Sequence, residues 1–275
     1  MNSRNDVCTH TVTDRRTEYD DEDITFYLQV YQDAAEAEQC LRSLRRHYPR
    51  SRVIVISDGD DDRRHARLAM RFGAEYTAGE RLYGIEHGGK MIQRKFDAFL
   101  ARPSDYLFKI DTDTRIHRRF RYLPTGCVTF GTLELEAVIT HVKLDFPSVQ
   151  GGCMGFTLEA ARRIAESGLL LSDELLDYRA TYADIPSIVS RAENLGLIAD
   201  DFINRYVCRR LGIPLMEYDE VRSLFRGKIA PDGEGFAVTH PHKLPPGLCK
   251  RLRSPLRWLE MRIRETIKGP EYRNR

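Results

Sequence analysis

Tyr106-Leu107-Phe108-Lys109-Ile110-Asp111-Thr112-Asp113-Thr114 is the stretch on which the reading of this chain turns. A run of aromatic and branched residues, the composition of a buried strand, stops at two aspartates separated by one residue. Carboxylates at i and i+2 leaving a strand end can turn together toward one hard cation, and that cation can in turn hold a diphosphate. Asp-x-Asp also arises by chance or as a solvated loop, so the flanking chain has to decide.

Upstream, the pattern is that of β-α-β units. Ile24-Thr25-Phe26-Tyr27-Leu28-Gln29-Val30-Tyr31 has strand composition, and Ala34, Ala37, Leu41, Leu44 and Tyr48 recur at helical spacing up to Pro49. Arg52-Val53-Ile54-Val55-Ile56 follows as a second strand, expected parallel to the first. It runs into Ser57-Asp58-Gly59-Asp60-Asp61-Asp62. Open α/β sheets bind ligands at the carboxyl ends of parallel strands, so Asp58 is a candidate site residue, with a turn or helix cap as the alternative. A helix over 62–72, a short strand over 74–77 and a flexible segment from Gly84 to Gly89 then lead to a helix marked by Met91, Ile92, Phe96, Phe99 and Leu100. Gly88-Gly89-Lys90 at its start, with Arg94 one turn on, offers amides and cations to a phosphate, or only a wet helix face.

Downstream, Cys127-Val128-Thr129-Phe130-Gly131-Thr132 reads as a strand. In Val149-Gln150-Gly151-Gly152-Cys153-Met154-Gly155-Phe156 the glycines mark a bulge or a close approach of backbone to a ligand. A helix is expected from Leu158 to Glu166, and a less regular region over 168–196 includes a helix over 186–195. Asp200-Asp201 opens a helix whose buried face is Phe202, Ile203, Tyr206, Val207 and Leu211; the two aspartates serve as caps or as catalytic groups. A mobile loop is expected over 227–235. The strand after it carries His240 and His242, either of which can complete a metal shell.

With 31% charged and 41% hydrophobic residues over 275 positions, the chain has the make-up of a globular protein that can bury a substantial core. A formal charge of +2 gives no case for a nucleic-acid partner. Six scattered cysteines without a C-x-x-C pair argue against a zinc knuckle and fit a reduced, cytoplasmic setting. The expectation is of a protein without a signal peptide or membrane span. Residues 1–23 read as a disordered acidic tail ending in Asp20-Asp21-Glu22-Asp23. Residues 244–275 read as a basic helical tail in which Trp258 and spaced aliphatic residues alternate with arginines. Such a helix, over 247–275, can lie at the inner face of an anionic membrane or pack on the domain.

In this order the features resemble the GT-A fold glycosyltransferases, which use nucleotide-sugar donors. The resemblance covers Ile24 to His242 and implies an α/β domain over 24–243 with a mixed, mainly parallel sheet flanked by helices, its nucleotide-binding half at 24–113 and its acceptor half at 114–243. Val55-Ile56-Ser57-Asp58-Gly59 is similar to the strand end that receives the nucleotide base, with Tyr31 in the same donor-binding set. Asp111-Thr112-Asp113 is similar to the family's Asp-x-Asp motif, which implies Mn²⁺ or Mg²⁺ bridging to the diphosphate of a donor such as a UDP-sugar. Gly151-Gly152 resembles the segment lining the sugar and acceptor site, and His240 stands like the histidine that completes the metal shell. Asp200-Asp201 stands where inverting members carry their general base, here Asp-Asp in place of the commoner Glu-Asp. What the resemblance implies is transfer of a sugar to a glycan or glycolipid hydroxyl, with inversion favoured, Asp201 as base and Asp111 on the metal or on the donor ribose. Acceptor contacts are expected in 132–148 and 168–196.

Two readings of other classes compete. Asp111-Thr112-Asp113-Thr114 also fits the signature of haloacid-dehalogenase-like phosphatases, in which the first aspartate is the nucleophile, but that signature closes the first strand of the core and here several α/β elements precede it. A non-catalytic membrane-surface protein acting through 247–275 is the other. A sugar nucleotidyltransferase would need a glycine-rich loop after the first strand, and Val30-Tyr31-Gln32-Asp33 has no glycine.

Overall fold

In a computed structural model of the chain, residues 14–59, 63–82, 85–137, 142–176, 200–224, 229 and 232–243 are described. Residues up to His242 form one compact unit, and the basic segment after Lys243 lies outside the described residues, as does the expected helix over 186–195. The hydrophobic runs of the sequence become strands buried on both faces, which is why they are nearly continuous rather than alternating. They are β2 (Ile24–Val30), β3 (Arg52–Asp58) and β5 (Tyr106–Ile110), whereas the short edge strand β4 (Glu75–Gly79) has no buried residue. Three more strands, β8 (Thr129–Ala137), β9 (Val142–Thr157) and β10 (Leu215–Glu217), complete a seven-stranded sheet of order β10-β8-β9-β5-β2-β3-β4.

Strands β5, β2, β3 and β4 pair parallel, but β9 runs antiparallel to both β5 and β8. The sheet is therefore mixed, as the resemblance implies, with four of its six strand pairings parallel and the two made by β9 antiparallel. The physical reason is the β8–β9 connection: the chain returns through a hairpin rather than a helical crossover, and hairpins make antiparallel neighbours. This hairpin also occupies much of 132–148, where acceptor contacts are expected; β9 is one strand of 16 residues in which the glycine-rich stretch is only the last half.

Helices α1 (Ala34–His47) and α2 (Arg63–Arg71) cover one face of the sheet. Ala37, Cys40, Leu41, Leu44, Leu68 and Ala69 pack there with Phe26, Leu28, Val55 and Phe108. The other face is covered by α3 (Ile85–Leu100), α4 (Leu158–Glu166) and α5 (Asp200–Leu211), through Ile92, Phe96, Ile164, Ile203 and Val207 against Tyr27, Ile54, Leu107 and Phe156. Helix α3 begins before the glycines that sequence reading takes as flexible. A Cβ at Gly89 would run into the carbonyl oxygen of Leu170 in the neighbouring 3₁₀ turn Leu169–Leu171, so glycine is there for packing, at the usual helix-propensity cost of about 1 kcal/mol.

A second, three-stranded sheet is small but carries part of the site. In it β12 (Val238–His240) lies between β11 (Val221–Ser223) and β6 (Arg115–Ile116), with Ser223 directly opposite His240. Finally, residues 14–23 are not a free tail. Strand β1 (Arg15–Arg16) pairs with β7 (Leu123–Pro124), and the 3₁₀ turn Asp21–Asp23 buries Asp21. The Asp21 carboxylate accepts from the Arg50 amide at 2.9 Å and pairs with Arg119. The acidic run that looks solvated in sequence is held by arginines 29 and 98 residues away along the chain.

Candidate functional site

The site begins with a change of direction in the sheet. From β2 the chain adds β3 and β4 on one side, then returns to place β5 on the other. Where strand order reverses in this way, the carboxyl ends of the strands border a crevice. Tyr31, Asp58 and Asp111 follow or end β2, β3 and β5, so the topology puts them on one rim.

Beyond Ile110 the chain makes a tight turn. The Asp111 amide donates to the Gly152 carbonyl at 3.1 Å, the Thr114 amide to the Asp111 carbonyl at 3.1 Å, and the Thr114 hydroxyl to the Gly152 carbonyl at 2.9 Å. This fixes both aspartates against β9. His240 reaches the same point from the small sheet, its Nε2 3.1 Å from Asp113 Oδ1 and 3.5 Å from Asp111 Oδ2. Ligand atoms of Asp111, Asp113 and His240 all lie within 4.8 Å of one another. Two carboxylate oxygens and one imidazole nitrogen form a donor set that fits Mn²⁺ or Mg²⁺, with positions left for other oxygens. Of the two histidines, His240 belongs to this group; His242 instead shares the Thr239 hydroxyl with His117, at 2.5 and 2.7 Å.

Gly152 admits the histidine. A Cβ there would overlap the His240 ring, and one at Gly151 would crowd Asp200 Oδ1 at 3.1 Å. The glycine pair thus lets two site residues lie on the backbone of β9.

Lys109, not among the residues singled out from sequence, ties the rim together. Its Nζ lies 2.8 Å from Asp111 Oδ1, 2.5 Å from the Gly151 carbonyl and 3.2 Å from Asp200 Oδ2. Burial opposes the charge on Lys109, but Asp111 and Asp200 more than offset it and hold its pKa above the ordinary lysine value. Strand period would have found it: two residues before Asp111, it lies on the same face.

The two aspartates at the start of α5 differ. Burial acts to raise the Asp200 pKa, yet Lys109 and Lys95 outweigh it and the net shift is downward. Asp201 is raised, by burial first and then by the neighbouring Asp200 and Glu134. Lys95 is a second group that sequence does not reveal. It is 3% exposed, its ammonium lies 4.7 and 4.5 Å from the ring centres of Phe96 and Phe156, and burial pushes its pKa down to about 7.

At the other end of the crevice Asp58 is buried, and its Oδ1 accepts from the Leu82 amide at 2.9 Å and from Arg94 at 3.0 Å. Arg94 also donates to the Glu80 carbonyl at 2.9 Å and so anchors the loop after β4. Lys90 is exposed and makes no ion pair or hydrogen bond with these residues. Tyr31 is 40% exposed, with the Arg81 guanidinium 3.3 Å from its ring centre and Gly59, at φ +126°, beside the ring.

No protein-family model matches the chain, and no curated protein matches it. No helix among the described residues is long and apolar enough to cross a membrane. Cys40, Cys127, Cys153 and Cys208 are free thiols, three of them buried.

Proposed function

We propose that this chain is a metal-dependent glycosyltransferase of the GT-A type, moving a sugar from a nucleotide-sugar donor to an acceptor hydroxyl. The observation that carries the reading is the meeting of Asp111, Asp113 and His240 at the crevice between β5 and β2, with the acidic start of α5 joined to it through Lys109. Asp111, Asp113 and His240 would hold Mn²⁺ or Mg²⁺, which when bound neutralises charge on a departing diphosphate. Tyr31 and Asp58 lie on the rim where a nucleotide would enter, a UDP-sugar being the favoured donor.

The unlike environments of Asp200 and Asp201 support a division of labour. Asp200 is ion-paired, which lowers its affinity for a proton and makes it a poor base. Asp201 binds a proton more tightly and, once ionised, is the better group to take one from an attacking hydroxyl, a contribution of about 10²- to 10⁴-fold. The test is a thermal-shift series with UDP and GDP in the presence and absence of Mn²⁺, followed by a screen of nucleotide sugars for metal-dependent hydrolysis. Stabilisation that needs both nucleotide and metal, and that is lost in Asp113→Ala, is the expected result. Hydrolysis of a generic aryl phosphate without any nucleotide effect would favour the phosphatase chemistry instead.

A further inference from the structure

His240 is supported from behind by a chain of hydrogen bonds whose direction can be worked out. The Gly152 amide can only donate, and it lies 3.0 Å from the side-chain oxygen of Gln150, which fixes the orientation of that amide. The same oxygen accepts from the Ser223 hydroxyl at 2.9 Å. A hydroxyl has one proton, so Ser223 has only lone pairs to offer its other neighbour, His240 Nδ1, at 3.1 Å. Nδ1 must then carry the hydrogen. In a neutral imidazole that leaves the lone pair on Nε2, the atom that faces Asp111 and Asp113. Carboxylates also offer only lone pairs, so the three groups converge as acceptors on a point that a cation satisfies.

We propose that Gln150 and Ser223 are positioning residues that hold His240 as its Nδ1–H tautomer and so reserve Nε2 for a divalent cation shared with Asp111 and Asp113. This rests on the metal-dependent reading above and adds to it how the ligand is prepared. The chain is built into the fold. Gln150, Ser223 and His240 are 5%, 1% and 9% exposed, and Ser223 faces His240 in the register of β11 and β12. Gln150 is braced on its far side as well. Burial raises the pKa of Glu134 and the Gln150 amide counteracts that rise, as an N–H donor would. Water therefore has little access to compete for Nδ1, and no other acceptor for that proton is paired with it among the described residues. Partners of this kind behind a metal-bound histidine are typically worth about 10- to 100-fold in metal affinity.

The experiment combines Mn²⁺ titration with ¹⁵N spectra of the imidazole rings, on full-length wild type, Ser223→Ala, Ser223→Thr, Gln150→Ala and Asp113→Ala. Metal-free wild type, titrated until the His240 ring is neutral, should carry its proton on Nδ1, and Ser223→Ala should move it toward Nε2. Mn²⁺ affinity should fall about 10- to 100-fold in Ser223→Ala and Gln150→Ala and stay within about threefold in Ser223→Thr, which keeps the hydroxyl. Wild-type binding that Asp113→Ala abolishes but Ser223→Ala and Gln150→Ala leave untouched would overturn this inference alone. Absence of Mn²⁺ binding by wild type would sink the metal-dependent function, while the tautomer found in the spectra would still decide whether the relay is real. A wild-type neutral ring protonated on Nε2 would refute the relay outright.

Discussion

Replacing Gly152 by alanine should displace His240, the proposed metal ligand, without cutting out any ligand atom. An added Cβ would lie at least about 1 Å inside the 3.4 Å at which ordinary contact with the imidazole begins. The backbone has little room to retreat, because the Gly152 carbonyl accepts from the Asp111 amide at 3.1 Å and the Thr114 hydroxyl at 2.9 Å, while its amide is held by Gln150 at 3.0 Å. The ring must therefore move, and by several times the roughly 0.2 Å within which metal–ligand distances have to fall. A displacement of that size is expected to lower Mn²⁺ affinity by about 100-fold, or about 2.7 kcal/mol. The assay is calorimetric Mn²⁺ titration beside thermal unfolding. Gly155→Ala serves as the control, since its Cβ would strike the Phe130 ring in the core. It should cost about 1–3 kcal/mol of stability while sparing metal affinity. Wild-type Mn²⁺ affinity in Gly152→Ala would refute the reasoning, because the clash would then have been absorbed elsewhere.

Three further outcomes follow from the same geometry. Lys109→Met should destabilise the metal-free protein by roughly 1–3 kcal/mol, less than for a fully buried ion pair because Asp111 and Asp200 are 40% and 25% exposed, and added Mn²⁺ should recover part of the loss in denaturant unfolding; an unchanged midpoint would show that Lys109 is not a structural clamp. Asp201 has its pKa raised in the folded protein. Its protonated form is thus favoured by folding, and the contribution is lost as pH climbs above the unfolded value of about 3.9. Asp201→Asn should therefore gain stability relative to wild type as pH rises toward neutrality, with the difference vanishing in acid, and equal stability across that window would argue against the raised pKa. The same variant should lose turnover yet keep donor binding, whereas weakened donor binding would take Asp201 out of the base role.

Much of the frame is legible in sequence because it is local. Helices α1 and α4 and strands β2, β3 and β5 announce themselves by period and by Pro49 or a polar strand end, and Asp111-x-Asp113 and His240 can be picked out by residue type. What escapes is non-local. Ser223 becomes relevant only because β11 places it opposite His240, and nothing in its own neighbourhood hints at this. Gly88-Gly89 looks flexible by propensity, but a carbonyl packed against it outweighs propensity. The Leu133-Glu134-Leu135-Glu136 alternation is a strand signal that charge disguises as a loop. Residues 14–23 are anchored by ion pairs and main-chain hydrogen bonds, which hydropathy does not register.

Lys109 also sets the charge that an incoming ion would find. At formal values Asp111, Asp113 and Asp200 carry three negative charges, and the ammonium bound to two of them leaves a deficit of two. A monovalent ion would leave the crevice negative and hostile to a diphosphate. A divalent ion would bring it to neutrality, so discrimination between Na⁺ or K⁺ and Mn²⁺ or Mg²⁺ need not depend on the fit of the ligands alone, because the protein's own counter-ion has already fixed how much charge is missing.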